Sequence, residues 1–108
     1  MNVIVPKDIP DDFVGNGCGS EGWLGKLIPD DLAGINISEV CKYHDWLYTK
    51  GGYEHDKEYA DITFLHNMMA IIKRDDTIWT NEDKAQRLAF VYYNAVVEYG
   101  HKYFNWSL

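Results

Sequence analysis

Cysteine is scarce in this 108-residue chain: there are two, Cys18 and Cys41. A pair cannot build the multi-bridge framework of a disulfide-rich secreted domain, which leaves one bridge or two thiols. Proline is also sparse, with three residues, and no tract is of low complexity. With 46% hydrophobic and 15% aromatic residues, the chain reads as a packed domain and not a disordered one. Positive charge is in short supply, because ten Lys and Arg face seventeen Asp and Glu, a formal net charge of -7. That balance repels a nucleic-acid backbone, and the longest basic cluster, Lys73-Arg74, runs straight into Asp75-Asp76, so nucleic acid is excluded as a partner. Nowhere do about 18 apolar residues follow one another, so no membrane span is written. Residues 1–13 hold no apolar run of signal-peptide length; secretion after loss of a leading segment and release by lysis both remain open.

At this length the expectation is one domain spanning 1–108, burying roughly 60 to 65 per cent of its extended surface. Residues 1–37 read as irregular, with Gly15, Gly17, Gly19, Gly22 and Gly25 close together. Glycine at that density suits surface turns, or a run of main-chain carbonyls turned toward an ion. The spacing then predicts a helix opened by Ser38 as its cap and closed near Gly51-Gly52. A second helix is predicted over about 55–74, with Tyr59, Ile62, Leu65, Met69 and Ile72 recurring near the helical period and Phe64, Met68 and Ile71 widening the stripe. After a short extended piece, Thr77-Ile78-Trp79, Thr80 caps a third helix carrying Ala85, Leu88, Ala89, Tyr92, Ala95, Val96 and Tyr99 inward and ending about Gly100. No long strand is predicted. The fold class is all-α: a glycine-rich segment, two antiparallel core helices and a C-terminal helix.

The first helix carries the chemistry. Cys41, His44, Asp45 and Tyr48 recur at spacings of three and four and share one side. An imidazole, a carboxylate and a phenol on an inward side demand hydrogen bonds or a metal. Asp61 likewise interrupts the apolar side of the second helix, and antiparallel packing brings it to His44 or Tyr48. A carboxylate that fixes one imidazole nitrogen leaves the other as a general base. Asp45 sits about 100° around the helix from His44, so it serves better as a hard oxygen ligand, with the glycine-rich segment adding carbonyls. Calcium takes six to eight oxygens at about 2.3–2.6 Å and accepts such flexible donors.

Cys41-Lys42-Tyr43-His44-Asp45-Trp46-Leu47-Tyr48 resembles the catalytic helix of the secreted phospholipase A2 superfamily, whose pattern is Cys, two residues, His-Asp, two residues, Tyr. Gly15-Asn16-Gly17-Cys18-Gly19 is similar to its calcium loop, and Ala60-Asp61-Ile62-Thr63-Phe64-Leu65 to the segment bearing its supporting aspartate. The smaller bacterial, fungal and viral members are the nearer likeness, and the loop reads Cys18-Gly19-Ser20-Glu21-Gly22 where Cys-Gly-any-Gly-Gly is usual. The resemblance implies a phospholipase A2-like fold and calcium-dependent hydrolysis of the sn-2 ester of glycerophospholipids at a membrane interface. It implies His44 as general base, Asp61 as its orienting carboxylate and Tyr48 as the steadying phenol. It implies calcium at Asp45 with Asn16, Gly17, Gly19 and Glu21, and an oxyanion contact from the Gly19 amide. A Cys18–Cys41 bridge is implied as well, worth about 3.5 kcal/mol on the chain-entropy argument.

Other readings stand beside this one. His44 also suits a satisfied core histidine, and Cys18, Cys41 and His44, with Asp45, suit zinc, although the cysteine spacing is not that of compact zinc modules. A noncatalytic phospholipase-like binding or structural protein and a small helical interaction protein with an acidic face are the nonenzymatic alternatives. Trp23, Leu24, Leu27 and Ile28 suit either a lipid-facing lip or ordinary packing. His55 and His66 read as surface residues, Met68-Met69 and Tyr92-Tyr93 as packing residues.

Overall fold

Three helices share one core. The computed structural model describes residues 2–13, 28, 31–74 and 82–107. The expected glycine-rich metal loop, the extended piece at Thr77-Ile78-Trp79 and the Thr80 cap lie outside these. Strands β1 (Asp31–Leu32) and β2 (Ile35–Asn36) form an antiparallel hairpin pairing Asp31 with Asn36 and Leu32 with Ile35. Helices α1 (Ser38–Lys50), α2 (Glu54–Arg74) and α3 (Glu82–Tyr99) follow, and a 3-10 turn covers His101–Tyr103. The architecture is an all-α bundle of three helices with one small β-hairpin.

The hairpin corrects the expectation that everything before residue 37 is irregular. Its loop is Ala33-Gly34, with φ of 53° and 94°, the consecutive positive φ values of a primed two-residue turn. The Asp31 carboxylate accepts the Gly34 N–H at 2.8 Å and steadies it. The cap of α1 is corrected too. Ile37 holds the N-cap position without a side-chain bond, and Asn36 Oδ1 accepts the Ser38 N–H at 2.9 Å. Ile37 is fully buried, so the chain spends that position on the core and moves the polar contact one residue upstream.

α1 stops at Gly51, whose φ is +68° and whose N–H returns to the Leu47 carbonyl at 3.0 Å. A Cβ there would also collide with the Asn105 carbonyl. That contact belongs to a strap: the Gly52 N–H donates to Asn105 O at 3.0 Å, Asn105 N–H to Tyr48 O at 3.2 Å and Ser107 N–H to Gly52 O at 2.8 Å. The segment after α3 is thereby laced onto the α1–α2 turn.

The expected stripe on α2 holds at Phe64, Met68, Ile71 and Ile72, which are buried, and fails at Tyr59 and Ile62, which are exposed, while Ala60, Asp61 and Asn67 are buried as well. The helix turned to bury polar groups that have partners and left two apolar ones in solvent. Asn67 shows why this is tolerated: its Oδ1 accepts the Ile4 N–H at 2.7 Å and its Nδ2 donates to the Ile4 carbonyl at 3.0 Å, pinning the N-terminal segment. Ala85 and Ala89 give α3 a narrow face against the core, which also takes Leu32, Ile35, Ile37, Val40, Phe64 and Met68; Leu88 packs at its edge, and Tyr99, expected inward, is exposed at the last residue of the helix. Ile28 is only 1% exposed within that core, so it forms no lip; Trp23, Leu24 and Leu27 lie outside the described residues. Tyr92 is buried, donating its hydroxyl to Asp31 O at 3.1 Å, and Met68 is fully buried, as packing residues should be.

Candidate functional site

The Gly51-Gly52-Tyr53 turn, held by Asp56 Oδ2 accepting the Tyr53 N–H at 2.9 Å, folds α2 back along α1. Residues whose numbers sum to nearly the same value therefore face each other, which sets His44 and Tyr48 against Asp61. His44 is 1% exposed and Asp61 2%. The imidazole Nε2 lies 2.9 Å from Asp61 Oδ1, and the Tyr48 hydroxyl donates to the same oxygen at 2.7 Å. The imidazole ring is held between the rings of Tyr48 and Phe64, with centroids 4.2 and 4.7 Å away. The expected grouping of His44, Asp61 and Tyr48 is thus present as one buried network.

The other carboxylate oxygen has a partner that sequence reasoning missed. Lys57, only 5% exposed, places Nζ 2.6 Å from Asp61 Oδ2. The same ammonium donates to the carbonyls of Val96 at 3.2 Å and Val97 at 3.4 Å near the end of α3. A signal was available: Lys57 precedes Asp61 by four residues on a helix, the spacing of an ion pair. Lysine on a helix is so often solvated that the spacing alone does not mark the pair as buried.

Burial alone would raise the Asp61 carboxyl. The His44 contact and charge, then the hydrogen bonds from Lys57 and Tyr48, outweigh it and hold the group below its ordinary range. Burial, followed by the Asp61 charge and hydrogen bond, pushes the Tyr48 phenol well upward, so it stays protonated and donates. An ionised Asp61 needs donors, so the nitrogen of His44 that faces it, Nε2, carries a proton, and Nδ1 is itself a buried atom. A buried His44–Asp61 pair of this kind is dyad-like, with the capacity for base catalysis.

Asp45 follows on the same helix and is 8% exposed; its carbonyl accepts the Thr49 hydroxyl at 2.8 Å. A buried carboxylate is the right donor type for a hard cation. The remaining expected ligands, Asn16, Gly17, Gly19 and Glu21, lie outside the described residues, and among the described residues no group of three or more His, Cys, Asp or Glu could hold a metal ion. Cys41 is fully buried and disulfide-bonded. Cys18 lies outside the described residues, so its pairing with Cys41 is not described and no disulfide joins two described residues. A cavity of about 660 Å³ opens between α2 and α3, lined by Lys57, Asp61, Ile62, Tyr93 and Val97 among others. It reaches the network from the Lys57 side, and His44 is not in its lining.

No family model matches the chain, and neither the curated proteins nor the solved structures include a match. The resemblance to the secreted phospholipase A2 superfamily is corrected accordingly, and with it the picture of a secreted, disulfide-framed enzyme of that type. What the resemblance rested on is short: a helix face with residues at three- and four-residue spacing, a carboxylate facing it, and a glycine-rich string. Helical periodicity can produce the first two in any antiparallel pair that buries a histidine. What stands is a small, mostly helical domain with a buried histidine–aspartate pair.

Proposed function

We propose that the chain is a hydrolase of carboxylic esters in which His44 is the general base, Asp61 its orienting carboxylate and Tyr48 the donor that steadies Asp61. The observation carrying this reading is the bond from Nε2 to Asp61 at 2.9 Å, which orients the imidazole as a carboxylate-supported base. In the step, Nδ1 takes a proton from water as the oxygen attacks the ester carbonyl. The imidazolium then returns that proton to the departing alkoxide, giving a carboxylic acid and an alcohol. Asp61 stays ionised throughout and stabilises the imidazolium, while the Tyr48 hydroxyl donates to its Oδ1.

The finer reading is calcium-dependent cleavage of the sn-2 ester of a glycerophospholipid, releasing a fatty acid and a lysophospholipid. It is supported by the buried Asp45 carboxylate beside the base and by the formal charge of -7. A chain this acidic needs a bound cation to attract an anionic headgroup. Calcium held at Asp45 would supply charge compensation for the phosphate and the polarised carbonyl. The test is fatty-acid release from mixed phospholipid–detergent micelles, with calcium titrated into chelated wild type and into His44→Gln. Loss of turnover in a variant with wild-type circular dichroism is expected. Full turnover by folded His44→Gln refutes the base; full turnover in excess chelator refutes the calcium requirement.

A further inference from the structure

Lys57 is a charged side chain that the proposed chemistry leaves without a task. Its ammonium is nearly sealed, at 5% exposure, and all its contacts are directed. One donor goes to Asp61 Oδ2 at 2.6 Å, and the others reach the Val96 and Val97 carbonyls at 3.2 and 3.4 Å. Burying an ammonium is costly, and an exposed i, i+4 pair on the same helix would have served stability as well. What the buried position adds is geometry. A carboxylate with both donors on Oδ1 is free to turn about its Cβ–Cγ bond; one gripped at Oδ2 presents Oδ1 to His44 and Tyr48 in a single orientation.

We propose that Lys57 is a positioning residue for the histidine base: it locks the Asp61 carboxylate plane and refers it to the end of α3. This rests on the reading of His44 as the base, and it deepens that reading by assigning the orientation of Asp61 to a third helix. The charged and titratable groups around Lys57 among the described residues are Asp61, Glu54, His55, Glu58 and Tyr59 on α2, Tyr93 on α3 and Tyr48 on α1, whose ring centroid is 5.8 Å from Nζ. Of these, Asp61 is the buried carboxylate in direct contact, and α3 offers carbonyls.

Three substitutions test the assignment. Lys57→Met keeps the length of the stem and removes the charge and the donors, Lys57→Arg keeps both, and Lys57→Ala opens space beside the cavity of about 660 Å³. The expected result for Lys57→Met is a fall in kcat of about 10²-fold with KM unchanged, the cost of a misplaced catalytic group. The downfield proton resonance of the His44 Nε2–H, the signature of an imidazole bound to a carboxylate, should broaden or move upfield. Lys57→Arg should regain most of kcat and the resonance. Propylammonium diffusing through the cavity should restore turnover to Lys57→Ala, and propanol at the same concentration should not. If Lys57→Met fails to fold, Lys57→Gln takes its place with the same expectations.

A folded Lys57→Met or Lys57→Gln variant with wild-type kcat and an unchanged resonance overturns the proposal, and so does equal rescue by propanol, which would make Lys57 a matter of volume. The resonance is read without substrate. Failure of the base assignment shows separately, as full turnover in His44→Gln, while the resonance still reports whether Lys57 orients Asp61.

Discussion

Replacing Tyr48 with phenylalanine deletes one oxygen atom from the interior and leaves the ring contacts in place. The ring of Tyr48 stays edge-on to Phe104 at 5.2 Å and tilted against His44 at 4.2 Å, so no cavity of consequence opens. What is lost is the 2.7 Å hydrogen bond to Asp61 Oδ1, donated by a 3%-exposed residue to an ionised carboxylate. Such bonds contribute about 1.5–3 kcal/mol. Asp61 keeps His44 and Lys57, so the cost belongs near the middle of that range, about 2 kcal/mol. In a domain of this size that corresponds to a drop in Tm of about 8–16 °C. The penalty carries a pH signature. The Asp61 carboxyl is held below its ordinary 3.8, and the Tyr48 bond is one of the causes. The folded state therefore gains stability from Asp61 above the unfolded value, and loses it as pH falls through the lower folded value. The difference between wild type and Tyr48→Phe should be full at neutral pH and should close in acid below 3.8. Urea unfolding at stepped pH measures it. A neutral-pH difference under about 0.5 kcal/mol, or one unchanged once Asp61 is protonated, would refute the reasoning.

Asp61→Asn should flatten the acid limb of the stability curve, since the group whose folded value is depressed is gone, and should slow hydrolysis less than His44→Gln, which removes the proton acceptor and about 10²–10⁴-fold of rate; proton-linked unfolding and fatty-acid release check the two halves. Gly100→Ala places a methyl against the Tyr48 hydroxyl and the Val96 carbonyl, and should cost about 1–3 kcal/mol in chemical denaturation; a neutral substitution would show that the approach of α1 to α3 is looser than the structure has it. If the proposed calcium reading holds, Asp45→Asn should weaken calcium binding measured by calorimetry while leaving the helical signal intact, and an unchanged affinity would refute the assignment of Asp45 as a calcium ligand.

Much of this was legible from the residues alone, and the reasons are local. α1 and α2 were legible because Gly51-Gly52 punctuates two periodic runs, and α3 because Ala85, Ala89, Tyr92 and Val96 keep the helical period. The pairing of His44 with Asp61 followed from antiparallel helices joined by a short turn. The α2 stripe holds at Phe64, Met68, Ile71 and Ile72 but not at Tyr59 and Ile62, because the first turns of the helix give their buried side to polar residues with partners: Asp61 with His44, Lys57 with Asp61, and further along Asn67 with Ile4. Satisfied polar groups look solvent-facing in a sequence, because their partners are distant in the chain. The hairpin was missed for a different reason: Ala33 takes a positive φ that no alanine advertises. The family likeness was read from spacings that a helix repeats on its own.

The strap over the α1–α2 turn bears on how the molecule breathes. Its amides, at Gly52, Asn105 and Ser107, bond across a separation of more than fifty residues, whereas α1 and α2 meet through neighbours in the chain. Opening the strap breaks a few hydrogen bonds and lifts Phe104 and Trp106 from Tyr48 and Ala60, leaving the main core undisturbed. Native-state hydrogen exchange should accordingly separate two populations: helix amides exchanging only through global unfolding, and strap amides exchanging together through a smaller, less denaturant-sensitive opening. Because Asn105 binds the carbonyl of Tyr48 itself, each such opening frees the helix end that carries the phenol, and the lifetime of the strap becomes a clock for the order of the buried network.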